Sequence, residues 1–124
     1  MSFQTNVVKE AKENEFFRKV LYTGKHAQLV LMSIAVGEDI GEETHDNVDQ
    51  LLFFVQGKGE AVIEGSATPI EAGDMTFVPA GTLHNFKNTG DEALKLYTVY
   101  SPANHPDGTI HKTKAEAEAA EYKY

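Results

Sequence analysis

The chain has 124 residues, 41% of them hydrophobic and 24% charged, with a formal net charge of -8 and no cysteine. That is length enough for one domain with a core that needs no cross-links. The composition excludes disulfides, thiolate metal sites and a Cys nucleophile, and the acidity, with no dense cluster of cations, argues against binding nucleic-acid phosphates.

No apolar run approaches the length of a membrane span, and the opening MSFQTNVVKEAKENE lacks a charged-then-apolar leader. A cytoplasmic protein without membrane contact is the expectation. Residues 3–8 are read as an edge strand followed by a charged connection. Phe16 to Tyr22 reads as a short strand ended by Thr23-Gly24. Ala27 to Val36 is nearly all apolar, and its β-branched residues between Gly24 and Gly37 favour a strand buried on both faces.

In the stretch Gly37 to Gly57, Glu43 and His45 are two apart and so share a strand face. Asp46-Asn47-Val48-Asp49 supplies turn chemistry before Gln50 to Val55. The expectation is a hairpin that brings Gln50 alongside His45. Lys58–Ile63 and Ala67–Ile70 form the next hairpin, and Gly73-Asp74 turns the chain into Gly73 to Asn88. There Phe77-Val78 is a strand, Pro79-Ala80-Gly81 breaks it, and Leu83 to Phe86 resume it with His84 and Phe86 on one face. Leu94 to Tyr100 is the last clear strand. Many short strands with Gly, Pro and Asn turns predict an all-β sandwich or barrel of jelly-roll type.

Residues 101–108 read as a loop. Thr113-Lys114-Ala115-Glu116 has the spacing of a capping box, which predicts a short C-terminal helix over about 114–121. The tail could fold over the barrel mouth, which makes His105 and His111 candidates for closing a pocket. Arg18, Tyr22 and Gln28 come from strands that could line it. Phe54, Phe86, Tyr97 and Tyr100 read as core, and Asp49 as a turn residue.

Two spacings carry a resemblance. Gly73, Pro79, Gly81, His84 and Asn88 fill every position of one motif of the cupin superfamily. Gly37, Glu43, His45, Gln50 and Gly57 keep the spacing of the other but change two of its ligand positions. The sequence therefore resembles small single-domain cupins, with a barrel core over about 16–100 and a loop and helix over 101–124. What the resemblance implies is a double-stranded β-helix with one metal ion at its mouth. His45 and His84 match histidine ligands, Glu43 stands where a histidine is usual and Gln50 where a glutamate is usual.

Two imidazoles and a carboxylate are credible ligands for Fe, Mn, Ni, Co or Zn as the divalent ion, with the Gln50 amide oxygen a weak fourth donor. Glu43 has two further readings, a general base beside the metal or a solvated surface acid. The resemblance further implies a homodimer and a metal-dependent enzyme, an isomerase or lyase on a sugar or uronate, or a dioxygenase. Small cupins of this kind often carry a mannose-6-phosphate isomerase-like label. The alternative is a non-catalytic cupin that binds a small ligand as a sensor or store.

Overall fold

The structure is a computed structural model that describes residues 2–120. Its first element corrects the sequence reading, because the expected strand at residues 3–8 gives way to a helix, α1 (Val7–Glu13). Asn6 caps it, its side-chain oxygen accepting a hydrogen bond from the Lys9 amide at 3.1 Å. An N-cap of this kind satisfies a donor that the first turn leaves unpaired. Ala11 is fully buried where the helix crosses the sheet, and the Lys95 ammonium donates to the Lys12 carbonyl at 2.7 Å.

Among the described residues nine strands follow: β1 (Arg18–Thr23), β2 (Gln28–Ile34), β3 (Asp49–Gln56), β4 (Lys58–Ile63), β5 (Ser66–Glu71), β6 (Met75–Val78), β7 (His84–Asn88), β8 (Leu94–Ser101) and β9 (Ile110–His111). They form a six-stranded sheet in the order β6-β3-β8-β2-β1-β9 and a three-stranded sheet in the order β5-β4-β7. This is the all-β jelly roll that the strand pattern predicts. The apolar run of β2 is buried on both faces because it lies inside the larger sheet, with the core on one side and α1 on the other. The core joins the sheets through side chains such as Leu52, Phe54 and Leu96 facing Ala61, Ile70 and Phe86. Phe54 and Phe86 meet with ring centroids 5.7 Å apart, and burying each is worth about 1.5–3 kcal/mol.

The path between β2 and β3 differs from the hairpin expected there. Residues 38–43 pair with β7, not with β3: the Ile40 amide donates to Phe86 O and the Asn88 amide to Glu38 O, while Glu43 and His84 exchange both backbone bonds at 2.9 and 3.0 Å. Residues 44–48 then cross to the other sheet, where Gln50 lies between Val78 and Tyr100. Backbone pairing decides this outcome. The segment 38–43 satisfies the open edge of β7, which a local hairpin with β3 would leave unpaired.

The tail folds back as anticipated. β9, which sequence reasoning missed, adds to β1 with Arg18 opposite His111. The Gln28 side chain, 1% exposed, accepts from the Asn104 and His105 amides and donates to His105 O. The capping box holds: Thr113 Oγ1 accepts from the Glu116 amide at the start of α2 (Lys114–Ala119). The expected helix end at Glu121 lies outside the described residues.

Candidate metal centre

The turn between β6 and β7 builds the site. Gly81 has φ +83°, a left-handed conformation that glycine adopts without strain, and its amide donates to the His45 carbonyl at 2.7 Å. The Ala80 amide donates to Asp49 Oδ1 at 2.9 Å, so Asp49 does more than turn the chain. The two bonds tie the crossing segment and the start of β3 to the turn. On the other side, the Gly41 amide donates to Asn85 Oδ1 at 2.9 Å, and Asn85 Nδ2 donates to Asp39 at 2.8 Å. The side chain of Asn85 thereby holds the strand that carries Glu43.

Sequence reasoning gave Asn85 no role, although a polar residue between Leu83 and Phe86 in a predicted strand was a visible signal. Asp39 also pairs with the Lys114 ammonium, fastening α2 to the same wall. These contacts lower the Asp39 pKa, the Asn85 hydrogen bond first and Lys114 second.

Glu43, His45 and His84 converge so that one ligand atom from each lies within 4.8 Å of the others. Glu43 Oε1 is 3.3 Å from His45 Nε2 and 3.7 Å from His84 Nε2. His84 Nδ1 lies 2.8 Å from the Thr82 carbonyl and donates its proton there, which turns the Nε2 lone pair toward the cluster. The Nε2 atoms of His45 and His84 are buried without a hydrogen-bond partner. Burial would raise the Glu43 pKa, but the two imidazoles outweigh it and bring it down to about 2. Burial would lower the His84 pKa; the Glu43 carboxylate and the Thr82 carbonyl win, and it rises.

Gln50 is buried near the start of β3. Its cross-strand neighbour Tyr100 meets the His45 ring edge-on at 5.9 Å. Thr98 Oγ1 spends its proton on the Leu51 carbonyl and so must accept from Gln50 Nε2, at 3.1 Å. That leaves Gln50 Oε1 buried and without a partner. Buried acceptors in this state are costly unless a cation or donor meets them. The donor set, two imidazoles and one carboxylate, fits a divalent transition metal.

The cluster opens into a cavity of about 910 Å³, lined among others by Arg18, Glu43, His45, Asn104, His105 and Lys114. Of the other residues that the sequence offered for the pocket, Tyr22 stacks on Phe3 at the surface and Gln28 acts from behind the 104–105 loop. Tyr100 and Phe86 are core that also contacts the cluster, with Tyr100 T-shaped against both His45 and His105.

The pattern of a cupin domain matches residues 30–100. The chain belongs to the cupin family. This cupin is 48% identical over 125 residues to the YrkC protein of Bacillus subtilis, covering 96% of this chain and 67% of that one. The crystal structure of the Bacillus halodurans protein BH2720 matches it with a TM-score of 0.95 at 44% identity, over 97% of this chain and 96% of that one. A more distant relative is a 5-nitrosalicylic acid 1,2-dioxygenase of Bradyrhizobium, 31% identical over 67 residues that span 54% of this cupin and 32% of that protein. The mannose-6-phosphate isomerase likeness finds no support among these relatives. Among the described residues no helix is long and apolar enough to cross a membrane.

Proposed function

We propose that this cupin is a metal-dependent enzyme acting on a small polar organic substrate, with Glu43, His45 and His84 holding one divalent transition metal and Gln50 supplying a weaker oxygen donor. The observation that carries the reading is the set of buried, partnerless acceptors, His45 Nε2, His84 Nε2 and Gln50 Oε1, beside the Glu43 carboxylate. Such a group of acceptors calls for a cation. When bound, the ion would supply Lewis acidity toward a carbonyl or hydroxyl oxygen, or oxygen chemistry if it is iron. A redox-silent ion favours isomerisation or ring opening of a sugar or uronate, and iron favours dioxygenation, the activity named for the Bradyrhizobium relative.

The chain's own residues divide the remaining work. Thr82 fixes the His84 tautomer, and Tyr100 packs against His45 and limits its rotation. Glu43 is the most exposed member, with 32% of its side chain accessible against 1% for His84, so it faces the arriving substrate. In the second reading of Glu43, beside the ion and not on it, its carboxylate is the general base toward that substrate.

A homodimer is part of the same reading. Phe77 continues a row through Leu51, Val99 and Leu29, and Met75 a second row through Phe53 and Tyr97, both on the face of the larger sheet away from the core. Phe77 and Met75 end these rows exposed on the edge strand β6. An apolar surface of this kind suits a second copy of the chain.

Elemental analysis of natively purified protein tests the metal. About one equivalent of a transition metal per chain, lost in His84→Ala, is expected, and its identity selects between redox and isomerase chemistry. Wild-type protein that purifies empty and refuses added metal would overturn the reading in favour of a ligand-binding cupin.

A further inference from the structure

The chain carries ten lysines and a single arginine, Arg18. Arg18 is 8% exposed and lies on the inner face of β1, opposite Met32 of the core and His111 of β9. Its guanidinium sits over the Phe17 ring, 5.2 Å from the centroid, and lines the same cavity as Glu43 and His45. One nitrogen, Nη1, donates to His111 Nδ1 at 3.2 Å. Nε is buried with no hydrogen-bond partner, and no carboxylate among the described residues forms an ion pair with the group.

A buried cation normally brings its counter-ion, because desolvating it alone costs several kcal/mol. Of the acids that line the cavity, Glu43 faces the two histidines, and neither Asp46 nor Glu118 forms an ion pair with Arg18. The neighbouring imidazoles add to the demand without meeting it. His105 and His111 are both held toward the neutral form, by burial first and by Arg18 second.

Resting on the metal reading above, we propose that Arg18 determines substrate specificity by binding the carboxylate of an organic anion whose reacting end lies at Glu43, His45 and His84. A planar guanidinium whose Nε–H has no hydrogen-bond partner offers a carboxylate a forked contact that a lysine cannot. In a protein of net charge -8, an anion would otherwise be repelled. Among the described residues that line the cavity, Arg18, opposite His111 of β9, is the one permanent cation without an ion pair, Lys114 being paired with Asp39. The substrate class is therefore a small carboxylate-bearing molecule with a hydroxyl or carbonyl at its other end.

The test uses a panel of small carboxylates with neutral mates of the same shape, galacturonate against galactose and salicylate against salicylamide among them. Each is added to metal-free and to Zn(II)-loaded protein. Because the chain has one arginine, its Nε–H gives a single arginine side-chain resonance in a ¹H–¹⁵N spectrum. That resonance is expected to shift with a carboxylate and stay fixed with its neutral mate. Binding by calorimetry should weaken about ten- to hundredfold in Arg18→Met, the loss of a charged hydrogen-bonded contact, and recover only in part in Arg18→Lys.

A panel that shows no preference for carboxylates would overturn the inference. So would an Nε–H that ignores a bound carboxylate, or an Arg18→Met protein that binds as tightly as wild type. Should Arg18→Met fail to fold, the wild-type resonance decides alone. A carboxylate that moves Arg18 in protein unable to take up Zn(II) would sink the metal reading and leave this one standing.

Discussion

Acid should unfold this protein through His105. The ring is 7% exposed, in the loop that Gln28 anchors, and it meets Tyr100 edge-on at 5.1 Å. Around it stand Arg18 from β1, Glu43 and His45 from the 38–48 segment, and His111 from β9. Burial pushes its pKa down first and Arg18 second, from 6.5 to about 3, with Glu43 opposing weakly. The unfolded chain takes up this proton below about pH 6.5 and the folded chain only near pH 3. Between those values the unfolded state binds more protons, so stability falls as the pH falls. At 1.36 kcal/mol for each unit, the loss between pH 7.5 and pH 5.0 is about 2 kcal/mol.

Urea titrations of wild type and His105→Gln at both pH values read the effect. The variant should lose about 2 kcal/mol less than wild type over that interval, and its thermal midpoint should fall by roughly 6–10 °C less. Protons taken up elsewhere, including at His84, where the shift has the opposite sign, are common to both proteins and cancel in the difference. Equal pH dependence in the two would refute the picture of a neutral imidazole held against a buried arginine.

Three other outcomes are expected. Zn(II) at a hundredfold excess over its dissociation constant should raise unfolding stability by about 2.7 kcal/mol in wild type and by nothing measurable in His84→Ala, followed by thermal melts with and without chelator. Asn85→Ala strips the Gly41 amide and Asp39 of their partner, so it should cost about 1–3 kcal/mol in urea and weaken metal affinity about tenfold or more by releasing the strand that carries Glu43. Phe77→Glu should break the proposed dimer into monomers in sedimentation velocity while leaving the metal content unchanged.

Local signals reached the fold wherever the chain pairs with its neighbour in sequence. β4 and β5 close a hairpin around Glu64-Gly65, and the break at Pro79-Ala80-Gly81 sits where the residue types demand. They failed wherever pairing is long-range. Nothing between Gly37 and Asp49 says that 38–43 will seek β7 some 45 residues on, because that choice depends on which sheet edge stands open. The N-terminal helix was misread because Val7 and Val8 favour strands, and only the Asn6 cap and the burial of Ala11 outweigh that preference. At the site, Glu43, His45 and His84 were singled out by the resemblance to the cupin motifs, and the structure does bring them together. Arg18 was only a candidate for the wall. Its importance depends on the missing counter-ion, a property of the packed cavity that no spacing records.

The exchange of residues at positions 43 and 50 is best understood from where each lies. Position 50 is buried in β3, 2% exposed, and a carboxylate there would be an anion confined in the barrel with Thr98 unable to donate to it, its proton already committed to Leu51. A neutral amide suits that position, because its nitrogen satisfies Thr98 and its oxygen still faces inward. Position 43 is opposite His84 on the shared ladder and partly open to the cavity. Placing the negative charge there keeps one carboxylate beside two imidazoles while moving it from the floor of the site to its rim. Arg18 lines the same cavity, so a single chamber presents both an anion and a cation without an ion pair among the described residues. On the proposed reading, a neutral substrate would gain nothing from that polarity, whereas a carboxylate-bearing one would be oriented by it, acid end toward Arg18 and reacting end toward Glu43.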